Sequence, residues 1–444
     1  MNGNIILMNL SMFDFIKYIK PLWYYRLAYK MPHSVLLNKG ELDQLVNADV
    51  LTKGGFKNEH SLYMDLAYQA LNSGYIPQGD RSALQDLTVT NVQDNYRFVY
   101  RQFGKSKAIY VLCIRLISFK NPLKEIISFK RATDLKVKIN PKDWDTQSVS
   151  LNSLVKVSVV IPTLNRYEYL KDVLADLEKQ TYKNFDVWIC DQSEPFNGDF
   201  YQGWNLKLNV IEQQEKALWY ARNRCIESSD SEYLLFFDDD SRVEPDWIEA
   251  HLQCCKHFNC LISAGTTHTI AGGGNSVKSE YYHSSEVLDT GNVLIHRSVF
   301  DKTGLFDLNF ERMRMGDGEF GLRCLLNGFK VISNPVAKRI HLKVQTGGLR
   351  QMGAWDAIHN IGLLKPKPIP SALYFARKHF DKSTTLIYGL TQLPKACLPY
   401  SKKKSKPIQK LPYYFLSFLL APILLFTFYR SWKISSKLLI IQSN

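Results

Sequence analysis

The 444-residue chain predicts an α/β fold, a mixed, mainly parallel sheet flanked by helices. Between Val155 and Gly265, short apolar runs of strand length alternate with amphipathic helical runs in the order β-α-β-β-α-β-α-β. One of these runs, Tyr233 to Phe237, reads as a strand buried on both faces and leads straight into Asp238, Asp239 and Asp240. Ligands of open α/β sheets sit beyond the carboxyl ends of the strands, so three carboxylates reach the usual binding edge. Carboxylate oxygens suit a hard cation such as Mg²⁺ or Mn²⁺, shared with substrate phosphates. Aspartates also end strands and cap helices, so the triplet gains meaning only beside the other strand ends.

Composition narrows the partners. With 56 basic and 42 acidic residues the net charge is +14, which suits nucleic acid, phospholipid headgroups or a phosphorylated substrate. Much of the excess lies near the C-terminus, which favours a membrane surface over nucleic acid. The eight cysteines show no disulfide framework, and the start lacks a basic segment followed by a clean apolar one. A reducing, cytosolic setting is expected. His251, Cys254, Cys255, His257 and Cys260 lack paired CxxC spacing and fall on a helical run, so they read as buried small residues and helix-surface histidines rather than zinc ligands.

Residues 1–152 read as a mostly α accessory region. Ile5 to Phe13 is apolar but too short to span a bilayer. PLWYYRLAY, aromatic and basic, reads as a helix packed on the next domain rather than resting on an interface. SLYMDLAYQALNSGYIP has helical spacing with a glycine stop, and AIYVLCIRLISFKNPLKEIISF reads as one or two buried helices.

Residues 153–355 form the α/β domain. VKVSVVIP is a buried strand ended by Pro162; YEYLKDVLADLEKQ follows as a helix with Leu170, Val173, Leu174 and Leu177 on one face. FDVWICDQS is a second strand ending in an acid, and LNVIEQ a third. KALWYARNRCIESSD is the helix before the acidic strand; WIEAHLQCCKHF and CLISAG are the next helix and strand. Three strand ends thus converge: Thr163 to Arg166, Asp191 to Ser193, and Asp238 to Asp240. A carboxylate such as Asp191 can accept from a uracil-like N–H, and Arg166 offers a fork to phosphate or ribose oxygens.

The segments VSVVIPTLNR, WICDQSEP, ARNRCI, YLLFFDDD, GNVLIHRSVF with GLFDLNF, and GDGEFGLR stand in this order between about residues 155 and 350. Together they resemble the family 2 glycosyltransferases of GT-A fold. The resemblance implies that Pro162, Thr163, Asn165, Arg166 and Asp191 hold the nucleotide of a nucleotide-sugar, and that Arg222 and Asn223 shape its pocket. It implies Asp238 on the ribose side, with Asp239 ranked below its neighbours, and a divalent cation on Asp240, Asp238 and His341. The catalytic base falls on Asp317, with Glu319 orienting the substrate. Asn292, Lys343 and Arg350 are assigned to acceptor or phosphate. At its helix start Asp317 is expected to stay ionised, with lowered basicity.

Three departures stand out. The glycine usual before the ARN helix is replaced by Lys216-Ala217-Leu218, and the usual Glu-Asp pair reads Gly316-Asp317. The QxxRW element of processive synthases is absent, since RQMGAW does not match it, so one sugar per encounter is expected. AGGGN (residues 271–275) and the Gly347-Gly348 pair read as flexible loops.

Residues 356–400 read as a helical extension and 401–444 as a basic, apolar, membrane-associating segment. Its nineteen uncharged residues, Leu411 to Tyr429, are long enough to span a bilayer, yet Pro412, Pro422 and basic flanks argue for a kinked or interfacial element. The expected protein is a metal-dependent, inverting glycosyltransferase on the cytoplasmic face of a membrane, peripheral or anchored by this segment. It moves one sugar to a hydroxyl of a glycan or lipid-linked acceptor. A nucleotidyltransferase would want a Gly- and Lys/Arg-rich loop after the first strand, which TLNRYEYL lacks. A non-catalytic nucleotide- or carbohydrate-binding membrane protein is the other alternative.

Overall fold

A computed structural model describes residues 13–32, 35–77, 91–147, 149–151, 154–269, 280–344, 347–348, 362–399, 402 and 405–443. Six helices come first: α1 (Ile16–Ile19), α2 (Lys39–Asn47), α3 (Glu59–Asn72), α4 (Val92–Phe103), α5 (Lys105–Ile117) and α6 (Pro122–Arg131). Asn38, Asn58, Asn91 and Asn121 open four of them by accepting from N–H groups of the first turn, donors that have no partner inside the helix. PLWYYRLAY forms a 3₁₀ turn, Tyr24–Lys30, with Tyr24, Tyr25 and Leu27 buried. These side chains share one core with Phe320 and Leu322 of the α/β region. Residues 108–129 depart from the expectation of burial. Only one face of α5 (Ala108, Val111, Arg115) is buried, while Ile117 and Leu123 are exposed.

The sheet region runs β1 (Val157–Thr163), α7 (Tyr167–Glu178), β2 (Phe185–Asp191), β3 (Leu208–Glu212), α8 (Leu218–Ser228), β4 (Tyr233–Phe237), β5 (Ser241–Val243), α9 (Trp247–His257), β6 (Ile262–Thr269), β7 (His283–Ser284), β8 (Asn292–His296), α10 (Ser298–Thr303), α11 (Gly316–Leu326) and β9 (Val331–His341). Strands lie in the order β3-β2-β1-β4-β8-β6-β9-β5, with β7 on β9. Pairs β1–β2, β1–β4, β2–β3 and β6–β9 are parallel; β4–β8, β6–β8 and β5–β9 are antiparallel. Every residue of β1 is buried, as a strand covered on both faces requires. His251, Cys254, Cys255 and Cys260 are core residues, and all eight cysteines are free.

The end of β9 is re-aimed by a bulge. Gly265 of β6 pairs with Asn334, but Thr266 pairs with Lys338, so β9 carries extra residues at Pro335-Val336-Ala337. Beyond the bulge, burial alternates: Ala337, Arg339 and His341 are buried, Lys338 and Ile340 exposed. Arg339 and His341 therefore share the inner face.

Among the described residues, four α-helices follow: α12 (Pro370–His379), α13 (Lys382–Gln392), α14 (Pro407–Leu419) and α15 (Ala421–Ser443). No single described helix is long and apolar enough to cross a membrane; α14 and α15 pass that test only as a pair bent by 77°. The break comes at Leu420, just before Pro422, while Pro412 is absorbed inside α14. Proline at the second position of a helix is tolerated because its missing N–H would be unpaired there anyway.

Candidate active site

The carboxyl ends of β1 and β4, the start of α8 and the start of α11 surround a cleft of about 650 Å³. Because β4 stops at Phe237, Asp238, Asp239 and Asp240 form a tight connection into β5. Asp238 and Asp240 turn toward His341, each offering a ligand atom within 4.8 Å of the others. His341 owes its place to β5, where it pairs with Ser241, the residue after Asp240. Its Nε2 lies 3.2 Å from Asp240 Oδ1, a buried oxygen that makes no hydrogen bond. Asp239 faces the other way, accepting from Thr163 Oγ1 and Arg166 Nη1, each at 2.9 Å.

The floor of the cleft is an ion network. Arg222 donates to Asp238 Oδ1 at 3.1 Å and to the Thr290 carbonyl at 3.0 Å. Arg339 donates to Asp238 Oδ2 at 2.7 Å and grips both oxygens of Asp289, at 3.0 and 2.9 Å. Gly291 is required here: a Cβ would lie 2.2 Å from both Arg339 Nη1 and Asp238 Oδ2. Asp238, Asp239, Asp240, Asp289 and Asp317 stand against the guanidiniums of Arg166, Arg222 and Arg339. The unbonded Asp240 oxygen and the Asp–Asp–His donor set fit a divalent cation. Asp289 and Arg339 were not singled out from sequence, where the exposed Ile340 and buried Arg339 run against the usual hydrophobic alternation.

Asp317 lies in the first turn of α11 and lines the same cleft as Asp240. Its carboxyl is pushed up to about 6, chiefly by burial and then by Asp289, with Arg222 pulling it back. This reverses the expected sign: burial and neighbouring acids outweigh the helix dipole, so the group is more basic than anticipated. Glu319 is a second correction. It is fully buried and faces away, bonded by Arg323 at 2.9 Å, His379 at 3.0 Å and Lys378 at 2.9 Å. Burial alone would raise it, but the His379 bond and the Arg323 and Lys378 charges bring it down to about 2. Glu319 therefore ties α11 to α12. Glu319→Gln is expected to cost about 3–5 kcal/mol, as when one partner of a buried ion pair is removed. The folded pKa is depressed, so this stabilisation is present above the unfolded value of 4.5 and fades as pH falls toward about 2. Urea denaturation of the variant at pH 7 and of the wild type at pH 3 and 7 checks both.

Several assigned residues are occupied otherwise. Pro162 lines the cleft and Thr163 holds Asp239. Arg166 also lines it, but its fork is spent on Asp239, on Asp240 at 3.3 Å and on the Val344 and Gly347 carbonyls, so it holds those two residues rather than offering free donors. A Cβ on Gly348 would lie 2.3 Å from its Cζ. Asn165 is exposed, in the left-handed region at φ 53, and its side chain accepts from Glu194 N–H. Asp191 lies fully buried outside the cleft, holding the Tyr167 and Tyr201 hydroxyls and the Ser193 N–H; one phenol would have to yield before it met a nucleobase. Asn223 brackets the backbone of Phe306. Asn292 is saturated by Trp247, His251 and the Thr266 and Ala337 carbonyls. Lys343 is exposed, outside the cleft lining. Arg350, AGGGN and RQMGAW lie outside the described residues.

Two of the three departures from the family pattern, at 216–218 and at Gly316, meet in space. A Cβ on Gly316 would sit 2.3 Å from the Trp219 ring, so the side chain missing at 316 is what admits Trp219, one residue past Lys216-Ala217-Leu218. Trp219 donates to the Phe310 carbonyl at 3.1 Å, and Glu311 bonds the Leu218 and Tyr220 N–H groups at the open start of α8. The cleft mouth carries Lys216, Arg312, Arg314 and Lys365, and the accessory region contributes Tyr24. The Tyr24 hydroxyl donates to Gly318 O at 2.8 Å, beside Asp317.

Residues 158–310 match the family model described as Glycosyl transferase family 2. Glycosyltransferase GlyA of Streptococcus pneumoniae is 24% identical over 36% of this chain and 22% of its own length. The amylovoran biosynthesis glycosyltransferase AmsB of Erwinia amylovora is 34% identical over 23% of this chain and 37% of its own. The first curated relatives are thus matched over 22–37% of their length. Among solved structures, S. aureus TarS 1-349 in complex with UDP-GlcNAc aligns with a TM-score of 0.44 at 15% identity, covering 62% of this chain and 83% of that one.

Proposed function

We propose that this chain, whose residues 158–310 match the model of Glycosyl transferase family 2, transfers one sugar from a nucleoside diphosphate-sugar to an acceptor hydroxyl in polysaccharide or glycolipid biosynthesis, with inversion. One observation carries the reading: Asp238, Asp240 and His341 converge in the same 650 Å³ cleft as Asp317, a carboxyl raised to about 6. The cleft suits a bound donor sugar in size and polarity. Relatives named for sugar transfer in polymer synthesis, such as AmsB, support the same reading.

Each side chain then has a task. Asp238, Asp240 and His341 would hold a divalent cation, Mn²⁺ or Mg²⁺, which supplies Lewis-acid neutralisation of the diphosphate. Arg222 and Arg339 fix Asp238 from behind so that its position costs nothing to organise during the reaction. Lys216, Arg312, Arg314 and Lys365 receive the anionic leaving group at the mouth. Asp317, ionised above about pH 6, accepts the acceptor's hydroxyl proton as its oxygen attacks the anomeric carbon. The bond to the diphosphate breaks on the opposite face, giving inversion in one displacement. Trp219 and Tyr24 offer flat, apolar walls to a sugar.

A lipid-linked acceptor is supported by where the tail sits. The backbone N–H of Lys367 donates to Thr427 O at 3.3 Å, Ser431 Oγ to Pro368 O at 2.5 Å, and Arg430 to Leu364 O at 2.8 Å. Ile369, Pro370 and Ser371 line the cleft. These contacts hold the apolar helix α15 directly behind the cleft's rim, where a membrane-bound acceptor would be within reach. A panel of nucleotide-sugars, assayed for nucleoside diphosphate release with Mn²⁺ and a membrane lipid extract, tests the proposal. One donor is expected to be cleaved with release of diphosphate; release of nucleoside monophosphate, or of nothing across the panel, contradicts it.

A further inference from the structure

Two stretches of surface have lost their exposed acids. Between Gly104 and Arg131 the single acidic residue is Glu125, which is buried and held by Arg115 and the Tyr96 hydroxyl. After Asp381 the sequence contains no Asp or Glu at all. Both stretches also show large apolar side chains to solvent: Ile117, Phe119 and Leu123 around the α5–α6 turn, Phe415 and Phe418 on α14. Phe119 is the extreme case. It is 98% exposed and sits at φ 55, a left-handed backbone that a bulky residue rarely adopts. The turn thus holds a phenyl ring away from a core that other aromatics of the same region enter.

The two stretches are neighbours. Tyr110 of α5 is within electrostatic reach of Tyr414 on α14, and Lys107 of Lys395. Apolar tips set among lysines, without acids, are the signature of an interfacial membrane element. A protein interface would instead be depleted of lysine at its centre. We infer that α5–α6 and α14 form one docking face for a bilayer containing anionic phospholipid, with Phe119 and Leu123 entering the acyl region and Lys120 and Lys124 lying against the phosphates. The inference rests on the reading of α14–α15 as a membrane segment and extends it to the accessory region, giving that region a task.

Sedimentation of the full-length protein with vesicles tests it, using phosphatidylcholine alone and phosphatidylcholine with phosphatidylglycerol. The variants are Phe119→Ser/Leu123→Ser and Lys120→Glu/Lys124→Glu, all at exposed positions, with thermal melting to confirm an unchanged fold. Wild type is expected to sediment with the anionic vesicles, and each variant to partition at least about tenfold less, one for loss of apolar insertion and the other for loss of attraction to the phosphates. Variants that sediment like wild type overturn the role of α5–α6 while leaving the tail reading intact. Wild type that ignores anionic vesicles overturns both, without touching the donor-cleavage assay. A wild-type dimer that Phe119→Ser/Leu123→Ser dissociates, with no vesicle binding, would make this face a contact between copies and also overturn the inference.

Discussion

Asp317→Asn is expected to lower kcat by about 10²–10⁴-fold, the usual contribution of a positioned base, with the donor KM nearly unchanged. The asparagine fills the same space and keeps the turn, but it cannot take the acceptor's proton. In the wild type, the base works only when ionised, and its pKa is raised to about 6 by burial and by Asp289. The kcat/KM profile should therefore climb with pH up to about 6 and level off above it. Asp239 is likewise raised to about 6, by burial, with Arg166 pulling it back. Asp239→Asn separates the two: an acid limb that survives this change belongs to Asp317. Steady-state kinetics from pH 5 to 8 would reveal a flat profile if no such base exists.

The second large effect is at the Asp–Asp–His cluster. Asp240→Ala removes one of three converging ligand atoms and the carboxylate that lies 3.2 Å from His341 and 3.3 Å from Arg166. Turnover should fall by about 10²–10³-fold, the scale for losing one fixed group facing developing charge. The Mn²⁺ concentration for half-maximal activity should rise at least about tenfold. A chelator should abolish wild-type activity, and added Mn²⁺ restore it. An Asp240→Ala enzyme with unchanged metal dependence would place the cation elsewhere.

How much of this was legible beforehand depended on distance along the chain. The β1–α7–β2 and α8–β4 units are local, and their apolar periods and strand-end acids marked them correctly. Strands β5 and β7 span three and two residues, too few for any period to register. The bulge in β9 exists only because β6 runs beside it, so the pairing of Arg339 with Asp238 and Asp289 had no local sign. Glu319 shows the opposite failure: an acid one turn into a helix beside Asp317 looked catalytic, but His379 and Lys378, some sixty residues later, claim it. Asn292 and Asn223 likewise bond backbone groups in the core, contacts that no local motif announces. The direction of the Asp317 shift was set chiefly by burial and then by Asp289, a residue with no motif to announce it.

Pulsed EPR of Mn²⁺ bound to the protein with a nucleoside diphosphate probes the cation's surroundings directly. The arrangement of Asp238, Asp240 and His341 predicts a ¹⁴N coupling from His341 together with a ³¹P coupling from the diphosphate, the nitrogen signal vanishing in His341→Gln. A Mn²⁺ spectrum with phosphorus but no nitrogen coupling in the wild type, or a nitrogen coupling that persists in His341→Gln, would contradict it.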